Sequence, residues 1–363
     1  MHVNAKEIVR RRLAGQWLSV PGLESASEVV ERQGAVQAQD YPGAVWALSQ
    51  RTRAGLSEAA IDAEIDSGQI LRTHVLRPTW HFVSPRDIRW MLALTAPRVK
   101  QVMASYNRKL ELTSAVFRRS HAIIEKALAG GQHRTRTELK SLLERAKIST
   151  TPSQRLGHLM MEAELDAIVC SGPRRGKQST YALVDERAPR TTQPYDRDES
   201  LGALARRYFA TRSPATAHDF AWWSGLTIGD ARRAIQVAGH LRAWRNDERT
   251  YWLDDAAEVP RSKRTTHLLP NYDEYFIGYR DRSAIGGRIA SIAAVTGGNA
   301  LISHVAFVDG MLVGGWRRLV EGNEVVVAFT PVATLSPAER RRFEAESTRL
   351  ARFLGRPVAL RWK

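Results

Sequence analysis

Apolar and polar positions follow one another in two rhythms along this chain, and the order of the rhythms recurs. Residues 3–15 and 24–34 carry apolar side chains at helical spacing, with Ala26, Val29 and Val30 on one face of the second stretch. Residues 57–67 predict a third helix, opened by Ser57 and closed by Gly68. The period then drops to two. Residues 70–83 predict two short strands meeting at Arg77-Pro78, with Thr79, His81 and Val83 on one face and Trp80 and Phe82 on the other. Ser84-Pro85 opens a helical stretch to about residue 110.

The same order returns twice. Thr113 or Ser114 starts a helix that stops at Gly130-Gly131, Thr135 and Glu138 fit a capping box for the next, and Thr151-Pro152-Ser153 starts a third. Strand-like residues 168–170 and 180–183 follow, joined by a tip expected to be flexible that carries Arg174, Arg175 and Lys177. Residues 184–194 are polar with two prolines and suggest a linker. Helices from Glu199, Thr216 and Thr227 then lead into a hairpin that turns at Asn246-Asp247. Helices followed by a hairpin make a winged-helix unit, which can place a helix in a DNA groove and a wing on the backbone. The last third differs: strand-like runs at 301–308, 311–319 and 324–329, a long basic helix over 336–354 and a strand at 358–362. The expected fold is α+β, with tandem winged-helix (helix-turn-helix) motifs and a C-terminal β-rich module. The expected units are 1–112, 113–194, 195–260 and 261–363.

Composition narrows the function. A chain of 363 residues exceeds one ordinary core, which agrees with several units. No apolar run reaches the ~18 residues of a transmembrane helix. The single cysteine, Cys170, excludes an intramolecular disulfide and a cysteine-based metal site. No metal or cofactor is expected. With no signal-peptide core near the start, the expected location is the cytoplasm, at the nucleoid. Lys and Arg number 54 against 38 Asp and Glu, a net charge of +16. Arginine-rich surfaces pair with phosphates and attract nucleic acid through counterion release. A GC-rich genome would load arginine onto solvated faces in the same way, so charge alone does not decide.

Between the second and third helices lies Gln37-Ala38-Gln39-Asp40. In an extended segment Gln37 and Gln39 would point to one side and aim two amides at one point, with Val36 and Ala38 pinning them from behind. Asp40 would point away and suits a helix cap or a salt bridge better than catalysis. Elsewhere, Arg72, Arg77 and His81 are candidates to touch DNA, although buried or bridging roles fit the same residue types. His74 suits a structural role, Asp273 and Glu274 a channel wall or core network, and Arg340-Arg341-Arg342 a solvated face.

Several of these stretches together resemble the AlkZ/YcaQ winged-helix DNA glycosylases. The matching residues are Val36-Gln37-Ala38-Gln39-Asp40-Tyr41-Pro42-Gly43-Ala44, Arg72-Thr73-His74, Arg77-Pro78-Thr79-Trp80-His81, Leu268-Leu269-Pro270-Asn271-Tyr272-Asp273-Glu274-Tyr275 and Gly314-Gly315-Trp316-Arg317-Arg318. The resemblance implies a monomeric clamp around a DNA-binding channel, with Gln37 and Gln39 as the catalytic pair of the Gln-x-Gln branch. It implies double-stranded DNA carrying bulky or cationic N-alkylpurine lesions, crosslinks included, as partner and substrate. The chemistry is consistent. An N7- or N3-alkylated purine already carries positive charge and departs without protonation, through an oxocarbenium-like state at the sugar. Two amide carbonyls can orient a water but cannot deprotonate it. No lysine occurs in residues 33–51 to form a Schiff base, which favours a monofunctional glycosylase over a lyase. The competing classes are a non-enzymatic winged-helix regulator, which would call for a dimerisation element, and a protein that sequesters a DNA-reactive compound.

Overall fold

In the computed structural model the described residues are 4–188, 190, 196–245, 249–254, 264–296 and 304–363. Helix α1 (Ala5–Gly15) begins at Asn4, whose side chain accepts the Glu7 N–H. Helix α2 (Ala26–Gln33) begins at Ser25 in the same way and ends at Gly34, where a φ of 80° turns the chain into strand β1 (Ala35–Gln37). Helix α3 (Tyr41–Ser49) follows at once, buried from Gly43 to Ser49 on every side. Such a segment has no helical stripe to announce it. Helix α4 (Glu58–Ser67), capped by Ser57 and stopped by Gly68, leads into strands β2 (Leu71–His74) and β3 (Trp80–Val83). The wing expected as two strands has three, in the order β1-β3-β2. Gln37 faces His81 across it, and His81 faces Thr73.

Helix α5 (Ile88–Lys109) crosses to the second unit. That unit comprises α6 (Ser114–Leu128), β4 (Arg134–Thr135), α7 (Arg136–Arg145), α8 (Ser153–Leu165), β5 (Val169–Arg175) and β6 (Gln178–Leu183). The predicted capping box at Thr135 and Glu138 is present. The expected linker starts instead with a helical turn, α9 (Val184–Arg187); residue 189 and residues 191–195 lie outside the described residues. The third unit is α10 (Arg197–Arg212), α11 (Ala217–Ser224), α12 (Ile228–Ala238), β7 (Leu241–Arg245) and β8 (Thr250–Asp254). All three helices open with capping boxes. The turn expected at Asn246-Asp247 lies outside the described residues.

The last third holds β9 (Thr266–Leu269), α13 (Glu274–Ile277), α14 (Ile292–Thr296), β10 (Val305–Val308), β11 (Met311–Glu321), β12 (Glu324–Pro331), α15 (Pro337–Leu354) and β13 (Val358–Trp362). They form one sheet, β13-β12-β11-β10-β9, antiparallel except for the parallel pair β12 and β13. A parallel neighbour needs a crossover, and α15 supplies it, burying Phe343, Leu350 and Phe353.

Cores cross the expected boundaries. Among the described residues one core, from Leu112 to Tyr181, lies almost entirely within the second unit. Another core joins the first wing and α5 to α10, α11 and α12. A third packs α2, α3 and α4 against the C-terminal sheet and α15, with Val36, Trp46 and Phe82 beside Leu268, Trp316 and Phe353. The Gln37-Ala38-Gln39 stretch is therefore gripped from both sides.

Candidate active site

The backbone of β1 is held by a buried ion pair. Glu274, at the start of α13, accepts the Gln37 N–H at 2.9 Å with one carboxylate oxygen. With the other it accepts from Arg212 at 2.7 Å and from the Trp223 indole at 2.9 Å. Arg212 in turn donates to the carbonyls of Gln33 and Ala35. Both charges are sealed from solvent, at 0% and 1% exposure. The preceding residue, Asp273, takes a two-pronged contact from Arg51, at 2.8 and 2.9 Å, and Arg51 also donates to Ala47 in α3. Two consecutive acids thus fix the strand before the amide pair and the helix after it. This is the core-network role expected for Asp273 and Glu274.

The two amides are not equivalent. Gln37 is buried at 4% exposure, and its side-chain carbonyl accepts the Gln39 N–H at 2.9 Å. Gln39 is exposed, and its side-chain carbonyl lies 3.4 Å from the Trp80 N–H. The ladder between β1 and β3 runs on to Ala38, whose N–H donates to Trp80 at 2.7 Å. Gln39 closes that ladder with a side chain where a backbone group would have continued it. The expected simple alternation holds only to the end of β1. Asp40 then occupies the N-cap position of α3 but makes no capping hydrogen bond, and it forms no ion pair among the described residues.

The candidate contact residues fall into three settings. Arg72 is half-buried, donates twice to the Ala38 carbonyl at 3.0 and 3.1 Å, and stacks on Trp80 at 4.4 Å. It braces the peptide between the two glutamines. Arg77 and His81 lie behind the pair. His81 is fully buried, which corrects the expectation of a surface contact, and burial together with the nearby Arg77 charge keeps its imidazole neutral. Its Nδ1 meets the Thr79 carbonyl at 2.9 Å. His81 Nε2, Thr73 Oγ1, Thr79 Oγ1 and two Arg77 nitrogens are buried without a protein partner. Buried polar groups are nearly always satisfied, and water is an ordinary partner for groups such as these. The third setting is the second hairpin. There Arg174 pairs with Asp62 and Asp66, and Arg175 with Glu138. Both are committed within the chain, because β5 extends to Arg175 and lays the expected flexible tip against α4 and α7. Lys177 is exposed and forms no ion pair among the described residues.

Glu164 escaped the sequence analysis. It is 1% exposed in α8, bonds to His74 Nδ1 and accepts the Trp80 indole N–H at 3.1 Å. It thus anchors the ring on which Arg72 lies. The available signal was an acid four residues after Met160, on an otherwise apolar face.

Among the described residues no cluster of His, Cys, Asp or Glu could hold a metal ion, and no helix is long and apolar enough to cross a membrane. No curated protein matches the chain. Among solved structures the Streptomyces sahachiroi DNA glycosylase AlkZ is similar in fold, at 24% identity and a TM-score of 0.81, with 99% of this chain and 100% of that chain covered. The family model described as DNA glycosylase AlkZ-like matches residues 30–353, a span that includes both glutamines, the wing sheet and the acidic pair. The chain therefore belongs to the AlkZ-like DNA glycosylase family and is a DNA-repair enzyme of the glycosylase class.

Proposed function

We propose that the protein hydrolyses the N-glycosidic bond of cationic N-alkylpurines in duplex DNA, bulky N7-alkylguanine adducts and interstrand crosslinks of that type among them, with Gln37 and Gln39 orienting the water. The observation that carries this reading is the asymmetric amide pair: Gln39 exposed at the strand end, Gln37 buried and bonded to the Gln39 N–H. Each amide carbonyl has two lone pairs and uses one of them within the protein. The other can accept from water. The clamps of Glu274 and Arg72 on the same peptides keep that acceptor in place, and such positioning is worth several kcal/mol.

In the reaction the water oxygen bonds to C1′ and the bond from C1′ to the base nitrogen breaks. The electron pair of that bond neutralises the positive purine, and the proton of the water passes to bulk solvent. Neither amide takes it. A leaving group without charge would need an acid, and the pair has none. Lys177 at the hairpin tip is suited to a phosphate contact, while Arg72, Arg77 and His81 serve the site from behind.

The test is a duplex bearing one N7-methylguanine, compared with the same duplex after the lesion has been ring-opened to its neutral formamidopyrimidine. Abasic sites are expected from the first and not from the second. No release from the cationic lesion, or equal release from both, would contradict the proposal.

A further inference from the structure

Directly after Gln39 the chain borders a pocket of about 220 Å³, whose walls include Asp40, Trp46, Pro270, His304, Trp316 and Arg318. Its geometry is fixed from outside. The Trp316 indole donates to Leu269 at 2.9 Å, and its ring lies against His304 with centroids 4.6 Å apart. His304 Nδ1 accepts the Asn271 N–H at 2.9 Å, which leaves the ring proton on Nε2. Burial holds this imidazole below its ordinary pKa, so it serves as a neutral N–H donor. One acceptor oxygen stands at Gly43 in the pocket wall: a Cβ there would lie 2.7 Å from Asp40 Oδ2.

We propose that this pocket binds the positively charged purine base of small monoadducts such as N7-methylguanine, with Asp40 set against its charge and Trp316 and His304 against its rings, while bulky and crosslinked lesions stay outside it. This rests on the glycosylase chemistry proposed above. The volume equals roughly seven waters at liquid density, the scale of a two-ring base. An exocyclic amine would donate to Asp40, and a ring nitrogen or exocyclic oxygen would accept from His304 Nε2 or Arg318. The alternatives fit worse. A phosphate would meet the Asp40 carboxylate, and an alkyl chain would leave every polar atom of the pocket unpaired. The pocket begins one residue along the chain from Gln39.

The charge contact has a kinetic signature. Positive charge sits on the base before cleavage and passes to the sugar during it. Asp40 therefore favours the bound lesion over the transition state and acts in selection, not in rate. Base release from the N7-methylguanine duplex is to be followed in single turnovers against protein concentration. In Asp40→Asn the half-saturating concentration should rise about tenfold, the size of one charged hydrogen bond, while the maximal rate stays within about twofold. Gln37→Ala/Gln39→Ala should instead lower the maximal rate, so failure of the amide chemistry and failure of the pocket are separately visible.

A second measurement needs no variant. The cation 7,9-dimethylguaninium should inhibit the unaltered protein about tenfold better than neutral 7-methylguanine, and Asp40→Asn should erase the preference. Equal inhibition by the two bases would overturn the proposal, as would an unchanged half-saturating concentration in the variant. A fall in maximal rate alone would place Asp40 in the chemical step and overturn it as well.

Discussion

Glu274 and Asp40 both adjoin the amide pair, and their environments are opposite. Glu274 is sealed in the core, and both of its oxygens are engaged by Gln37, Arg212 and Trp223. Asp40 stands at a helix start, where a carboxylate usually caps a backbone N–H, yet it caps nothing. Proximity to the site does not distinguish them, but pairing does. A carboxylate with both oxygens engaged cannot change partners during a reaction without breaking the fold around it. One left unpaired at a pocket edge can meet a substrate at little structural cost.

Four substitutions test this contrast by stability. The largest effect is expected from Glu274→Ala, which leaves Arg212 buried and uncompensated; urea denaturation should show a loss of about 3–5 kcal/mol. Glu346 in α15 offers a different case, a buried carboxyl whose Oε1 makes no hydrogen bond and lies 3.9 Å from Arg349, and burial pushes its pKa up to about 7. The folded state then holds a proton that the unfolded chain, titrating near 4.5, has already released. The penalty is absent below pH 4.5, grows up to pH 7 and is constant above. Glu346→Gln should therefore stabilise the protein at pH 8 by up to about 3 kcal/mol and do nothing at pH 4. Arg175→Ala removes an exposed ion pair with Glu138 and should cost under about 1 kcal/mol, less in high salt. Asp40→Asn should change stability least, within about 0.5 kcal/mol. A destabilisation as large as that of Glu274→Ala would erase the contrast.

What the sequence disclosed follows from the reach of each interaction. The capping box at Thr135 and the helix starts at Thr216 and Thr227 span three residues, and the order of helices and hairpins is a local rhythm, so both were legible. Helix α3 had no rhythm, because it is buried all round. The role of β1 in the wing sheet depends on pairing with β3, more than forty residues away, and Gln39 broke the alternation by closing the ladder with its side chain. Clamps such as Arg212 to Glu274 and His74 to Glu164 join distant segments, and only the path of the chain brings them together. Gln37 and Gln39 could be singled out as candidates because their motif is contiguous. His81 shows the limit: alternation says which residues share its face, but not that β1 and β2 would flank its strand on both sides, with Gln37 and Thr73 opposite it.

The most direct measurement of the central claim is single-turnover release of N7-methylguanine from duplex DNA by Gln37→Ala/Gln39→Ala, alongside its affinity for the same duplex. Loss of positioning should lower the maximal rate about a hundredfold or more, with duplex affinity within about threefold of the unaltered protein. A maximal rate unchanged in the double variant would contradict the assignment of water positioning to these two amides.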